Sequence, residues 1–121
     1  MTEKGTLPDG VEYGGEILRE YEVREQMVRD VVGVFDDPVR AARAVKNDLF
    51  YSTCILAARL TISGLPGDRV TPDLILDLSK DDYEELLSAC ARLQDRRRLF
   101  RIEAGTSPNG STGNDEARLQ S

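Results

Sequence analysis

The sequence predicts an α+β fold, mainly α: a short N-terminal β-hairpin packed on three to four helices over residues 1–103, then a flexible tail over 104–121. Three observations carry this expectation. Alternating apolar and polar residues flank Gly14-Gly15, the mark of two strands joined by a tight turn. From Met27 onward apolar residues recur at helical spacing, behind the start signals Asp37-Pro38, Thr71-Pro72 and Ser79. The end of the chain, from Ala104, is rich in Gly, Ser, Thr and Asn and too poor in apolar residues to offset its ordering entropy. A length of 121 residues leaves room for one domain, and a hydrophobic content of 40% suffices for its core.

Pro8-Asp9-Gly10 reads as a first turn and Gly14-Gly15 as a second, with Val11-Glu12-Tyr13 a short strand between them. Beyond the glycines Ile17, Arg19, Tyr21 and Val23 fall on one face of an extended segment, opposite Leu18, Glu20, Glu22 and Arg24. Two strands alone are marginal in water, so this hairpin needs helices or a partner against it. Met27, Val28, Val31 and Val32 then mark a short helix ended by Gly33. Asp37 as N-cap and Pro38 in the first turn open the next helix, with Val39, Ala42 and Val45 on its expected inner side and a break or a continuation at Asn47-Asp48.

The run from Asp48 to Ile62 reads as one helix, with its polar groups Asp48, Ser52 and Arg59 confined to a narrow strip. A helix so apolar around its girth must be covered on several sides. Either it is the central helix of the fold or a second subunit covers part of it, so a homo-oligomer is an open alternative. Gly64-Leu-Pro-Gly67 stops it, and Thr71-Pro72 opens a short helical turn through Leu74, Ile75 and Leu76. The last helix has the fullest start signal: Ser79 as N-cap, Asp82 in the capping-box position, and Leu78 and Tyr83 as a hydrophobic staple. Its first turns carry Asp81, Asp82, Glu84 and Glu85 and its far end Arg96, Arg97 and Arg98, an order that suits the helix dipole. The apolar stripe Tyr83, Leu86, Leu87, Cys90, Leu93 runs between them. Leu99 and Ile102 fall off that stripe, while Phe100 stays near it. A continuing helix would present them to a partner; a helix ending near Arg98 would leave residues 99–102 as an extended piece beside the hairpin.

Composition excludes several functions. The net charge is −6, with ten acids against four bases in residues 1–37, so a nucleic-acid partner is not expected. The arginines at 92, 96, 97, 98 and 101 are better matched to the acidic N-terminal third and the helix dipole. With no histidine and two cysteines, Cys54 and Cys90, outside any CxxC spacing, neither a catalytic set nor a metal site nor a cofactor site is expected. The thiols read as small buried hydrophobes. Paired acids such as Asp36-Asp37 sit at helix starts without a base or nucleophile, and Gly64-Leu-Pro-Gly67 lacks the lysine of a phosphate loop. No apolar run is long enough to cross a membrane, and the polar opening is no signal peptide, so a cytoplasmic protein is expected. Contact is then its work, and the candidate partner-binding residues are Phe50 and Ile55 on the apolar helix and Leu99, Phe100 and Ile102 at the end of the last one.

A hairpin beginning Thr6-Leu-Pro-Asp-Gly10, followed by Val23-Arg-Glu-Gln-Met-Val-Arg-Asp30, is similar to the strand-to-helix entry of the Mu-like phage tail assembly chaperone family. Ala58-Arg-Leu-Thr-Ile-Ser-Gly-Leu-Pro-Gly67 and then Leu78-Ser-Lys-Asp-Asp-Tyr-Glu-Glu-Leu-Leu87 resemble that family's ending, so the resemblance spans residues 6–100. It implies a non-enzymatic protein, made in an infected or lysogenic bacterium, that coats the long helical tape-measure protein and helps recruit tail-tube subunits. It also implies a longer form made by frameshifting, for which the tail would be a linker. The alternatives are a structural tail or baseplate subunit kept in the particle, or an acidic regulatory adaptor that binds a basic partner through residues 1–37.

Overall fold

Gly14 and Gly15 take φ angles of 61° and 82°, the left-handed pair that a two-residue hairpin turn requires. The turn joins β1 (Thr2–Tyr13) to β2 (Glu16–Arg24) in the computed structural model, which describes residues 1–104. The flexible tail expected over 104–121 lies, past Ala104, outside the described residues. Strand β1 is longer than its sequence suggests, because Pro8-Asp9-Gly10 is an irregularity within the strand and not its beginning. Thr6 stands opposite Glu20 and Val11 opposite Leu18, so residues 7–10 bulge against the single residue 19. A bulge accommodates Pro8, which has no N–H for the ladder. The inward face changes there too: Tyr21 and Val23 are buried, but nearer the turn Leu18 packs on the core and Ile17 is exposed.

The apolar run from Asp48 is two elements, where one helix was expected. Helix α3 (Asp48–Arg59) ends earlier than predicted, and Leu60–Ile62 forms β3 against β2, with Leu60 opposite Val23 and Ile62 opposite Tyr21. Within β3 the alternation of buried Leu60, exposed Thr61 and buried Ile62 is too short to read against the helical pattern before it. The sheet order is β1-β2-β3, antiparallel throughout.

The remaining elements are α1 (Val28–Gly33), a 3-10 turn at Val34–Asp36, α2 (Pro38–Lys46), α4 (Pro72–Leu76) and α5 (Lys80–Ala104). Their starts follow the sequence signals. Asp37 accepts from Val39 N at 2.9 Å, Thr71 from Leu74 N at 3.2 Å, and Ser79 from Asp82 N at 3.1 Å. Asn47 ends α2 and caps α3 at once, its Oδ1 accepting from Leu49 N at 3.0 Å and Phe50 N at 3.1 Å. The fold class is thus α+β, mainly α, as the sequence predicts.

Helix α5 lies along β1 and covers one face of the sheet; Lys4, Thr6, Glu20 and Thr61 on the other face are exposed. The main core joins Leu7, Tyr21 and Val23 of the sheet to Leu56 of α3 and to Leu86, Ala89 and Leu93 of α5. A second cluster gathers Val34, Ala44, Phe50, Cys54 and Ile55. Helix α3 contributes to both clusters and so lies at the centre of the fold, with Leu49 at its start left exposed.

Two inner faces differ from expectation. In α2, Val39 and Val45 are exposed and Ala44 points inward. The reason is that two arginines on α2 are turned toward the protein. Arg40 donates to Gly33 O at 2.7 Å and Val34 O at 3.1 Å, closing the end of α1, and the Arg43 guanidinium lies 3.9 Å from the centre of the Phe50 ring. In α1, Val28 and Val32 are exposed while Asp30 is buried. Arg24 grips Asp30 through both nitrogens at 2.9 and 2.6 Å and also donates to Ala58 O at 2.9 Å, tying the end of β2 to α1 and to the end of α3.

Candidate functional site

Helix α5 runs opposite to β1 and outlasts it. Asp82 meets Asp9 and Gly10, Arg92 meets Glu3, and Arg96 donates to Thr2 O at 2.7 Å, which brings the helix level with the start of the chain. Residues 98–104 are all exposed, beyond the reach of the strand. The helix continues through them, so the extended piece beside the hairpin is not formed. Leu99, Phe100 and Ile102 are 60%, 62% and 54% exposed on this overhang. Phe100 follows Leu93 by seven residues and so continues the buried stripe past the point where the sheet can cover it. Phe50 and Ile55, the other two candidates, are 5% and 7% exposed, packed in the second cluster with Val34, Ala44 and Cys54. The structure thus brings Leu99, Phe100 and Ile102 together at one end and keeps Phe50 and Ile55 inside.

The arginines beside the overhang largely face the acidic N-terminal third. Arg92 and Arg96 both bind Glu3, at 2.8 and 2.7 Å, and hold its carboxyl below the usual range. Arg97 approaches Glu25 at 3.4 Å and Arg98 pairs with Asp95 on its own helix. Behind them Tyr21 donates to Glu85 at 2.6 Å; burial first, and then that hydrogen bond, push its hydroxyl up to about 12. Tyr21 therefore keeps its proton at neutral pH and acts as a donor. Asp30 is held below the usual carboxyl range by its bonds to Arg24.

Between α1 and the far half of α5 lies an open groove of about 420 Å³. Met27, Val28, Val31 and Leu93 supply its apolar lining, Arg59, Arg97, Arg101 and the acid Glu25 its charge, and the half-buried Cys90 sits in it. Burial pushes the Cys90 thiol up, so the thiolate is disfavoured; Cys54 is buried and shifted the same way, and both are free thiols. A second, smaller groove of about 290 Å³ lies at the opposite end of α5, lined by Leu49, Thr53, Ile75, Leu76, Leu78, Lys80 and Tyr83. Leu49 and Leu76 are 61% and 48% exposed there. Among the described residues no group of three His, Cys, Asp or Glu side chains is placed to hold a metal ion, and no helix is long and apolar enough to cross a membrane.

No protein-family model matches the chain, and no curated protein or solved structure is significantly similar to it. The surfaces must therefore be read by their own chemistry. Sequence reasoning named the α5 overhang but neither groove. One signal for the second was present: Leu74, Ile75 and Leu76 are consecutive in a five-residue helix, and no single face of a helix can bury three consecutive side chains. The first groove joins residues more than sixty positions apart and has no local signature.

Proposed function

We propose that this chain is a non-catalytic binding protein, a tail assembly chaperone of the Mu-like phage type, whose client is the helical tape-measure protein. The single observation that carries this reading is the groove between α1 and α5, with its apolar floor and the arginines 59, 97 and 101 along it. It is open to solvent, and apolar residues from two helices meet in it, as the apolar stripe of a client helix requires. Glu25 in the lining pairs with Arg97, and the positive charge left by Arg59 and Arg101 favours a client helix with acidic residues beside that stripe. Contacts of this size are weak singly, and many copies along one long client would supply the strength. The tail-tube subunits are the second partner in this reading, and the bacterial cytoplasm its setting.

The test is co-expression with a tape-measure protein, expected as a very long, helix-rich reading frame beside this chain's gene, followed by co-purification. Val28→Asp and Arg101→Glu, both on exposed positions, are expected to lower client recovery at least about tenfold. Equal recovery with both variants overturns the assignment of the groove. Mass spectrometry of finished particles gives the second outcome. This chain at stoichiometric copy number there overturns the chaperone reading and makes it a structural tail or baseplate subunit.

A further inference from the structure

The apolar stripe of a short helix ordinarily faces the core, and in α1 it faces away from it. Gly33 and Val34 keep helical φ angles of −62° and −56°, so α1 runs without a break into the 3-10 turn and residues 28–36 form one short rod. Its inner side is Asp30 and Val34, both buried, with the half-buried Val31. Val28, Val32 and Phe35, spaced i, i+4, i+7, share the opposite side and are 80%, 59% and 49% exposed. Arg29 and Asp36, seven residues apart, lie along one flank of that stripe, and both are exposed. Among the described residues neither of them is in an ion pair.

We infer that this outer stripe is the contact of a two-fold dimer, in which α1 of one copy packs antiparallel on α1 of a second copy. The order of the charges selects that occupant. A two-fold axis through Val32 sets Val28 beside Phe35 of the other copy and Arg29 beside its Asp36, each to within one residue, or ~1.5 Å along the rod. Such an axis brings like flanks together, so both Arg29–Asp36 pairs form at once. A parallel pairing would set Arg29 on Arg29 and Asp36 on Asp36, which repel. The contact is isologous and closes at two copies. Three apolar side chains per copy bury less than the roughly 1,000 Å² of a stable interface, so the dimer is weak and concentration-dependent. Arg29, Val32 and Asp36 do not line the groove between α1 and α5, so this contact stands or falls apart from the client reading.

Sedimentation velocity of the full chain from about 10 µM to 1 mM is expected to show monomer and dimer in exchange and nothing larger. Val32→Asp, on an exposed side chain and checked for native circular dichroism, is expected to weaken dimerisation at least about tenfold. The deciding measurement reverses the charges. Arg29→Asp sets acid against acid and Asp36→Arg sets base against base, so each variant alone is expected to associate less than wild type. Mixed in equal amounts, the two restore both opposite-charge pairs, and the mixture is expected to dimerise at least as tightly as wild type. A wild-type chain that stays monomeric at 1 mM overturns the inference. So does a mixture that associates no better than its components, or a species larger than the dimer.

Discussion

Asp82 shows how much one side chain decides. In the sequence it looks like half of a capping box, reaching back toward Ser79. In the structure only the Ser79 half of that box is made, and the carboxylate of Asp82, fully buried, accepts from Asp9 N at 2.8 Å and Gly10 N at 3.0 Å. Ser79 completes the link by donating to Asp9 Oδ2 at 2.6 Å. The bulge of β1 is therefore built around the first turn of α5. Asp82→Ala would leave two backbone donors without acceptors, and a loss of about 3 kcal/mol is expected in urea unfolding. A second residue-scale fit is Gly5, which stands opposite Tyr21 in the ladder; a Cβ there would lie 2.5 Å from the Tyr21 hydroxyl. The ring covers the glycine, and the Tyr21 hydroxyl is thereby aimed at Glu85.

At the scale of elements, the capping signals were legible because each is a short-range contact between residues two or three apart. Asn47 is the most economical of them, since it ends one helix and starts the next without a linker. Asn47→Ala is expected to cost about 1 kcal/mol, read as a lower urea midpoint with an unchanged denaturant slope. Inward faces were less legible. The valines of α1 and α2 follow helical spacing, yet α2 turns Ala44 inward, with Arg40 reaching carbonyls at the end of α1 and the half-exposed Arg43 lying over the Phe50 ring. Nothing local to those helices announces such partners. Strand β3 was missed for a similar reason: three residues are too few to carry a period of two, and what makes them a strand is the free edge of β2.

At the scale of the whole molecule, the pairs that join distant elements predict a stability profile against pH. Asp30 and Glu3 have ordinary values of 3.8 and 4.5 and are lowered in the fold, so their contribution is full above those values and is lost as pH falls through the depressed ones. Tyr21 is raised from 10.0 to about 12, so its contribution is full below 10 and lost as pH rises toward 12. The urea midpoint is expected to be flat from about pH 5 to 9 and to fall on both sides. Tyr21→Phe should flatten the alkaline limb by up to about 2 kcal/mol; an unchanged limb would refute the assignment. The sequence by itself determined the fold class, the hairpin turn, the helix starts and the apolar character of the last helix's end, because each depends on neighbours in the chain and on composition. The tertiary structure alone decided that α3 joins both core clusters, that β1 bulges onto Asp82, and that α5 overshoots the sheet with a groove at either end. Those outcomes depend on which residues distant in sequence meet, and on where one element happens to be longer than the surface it covers.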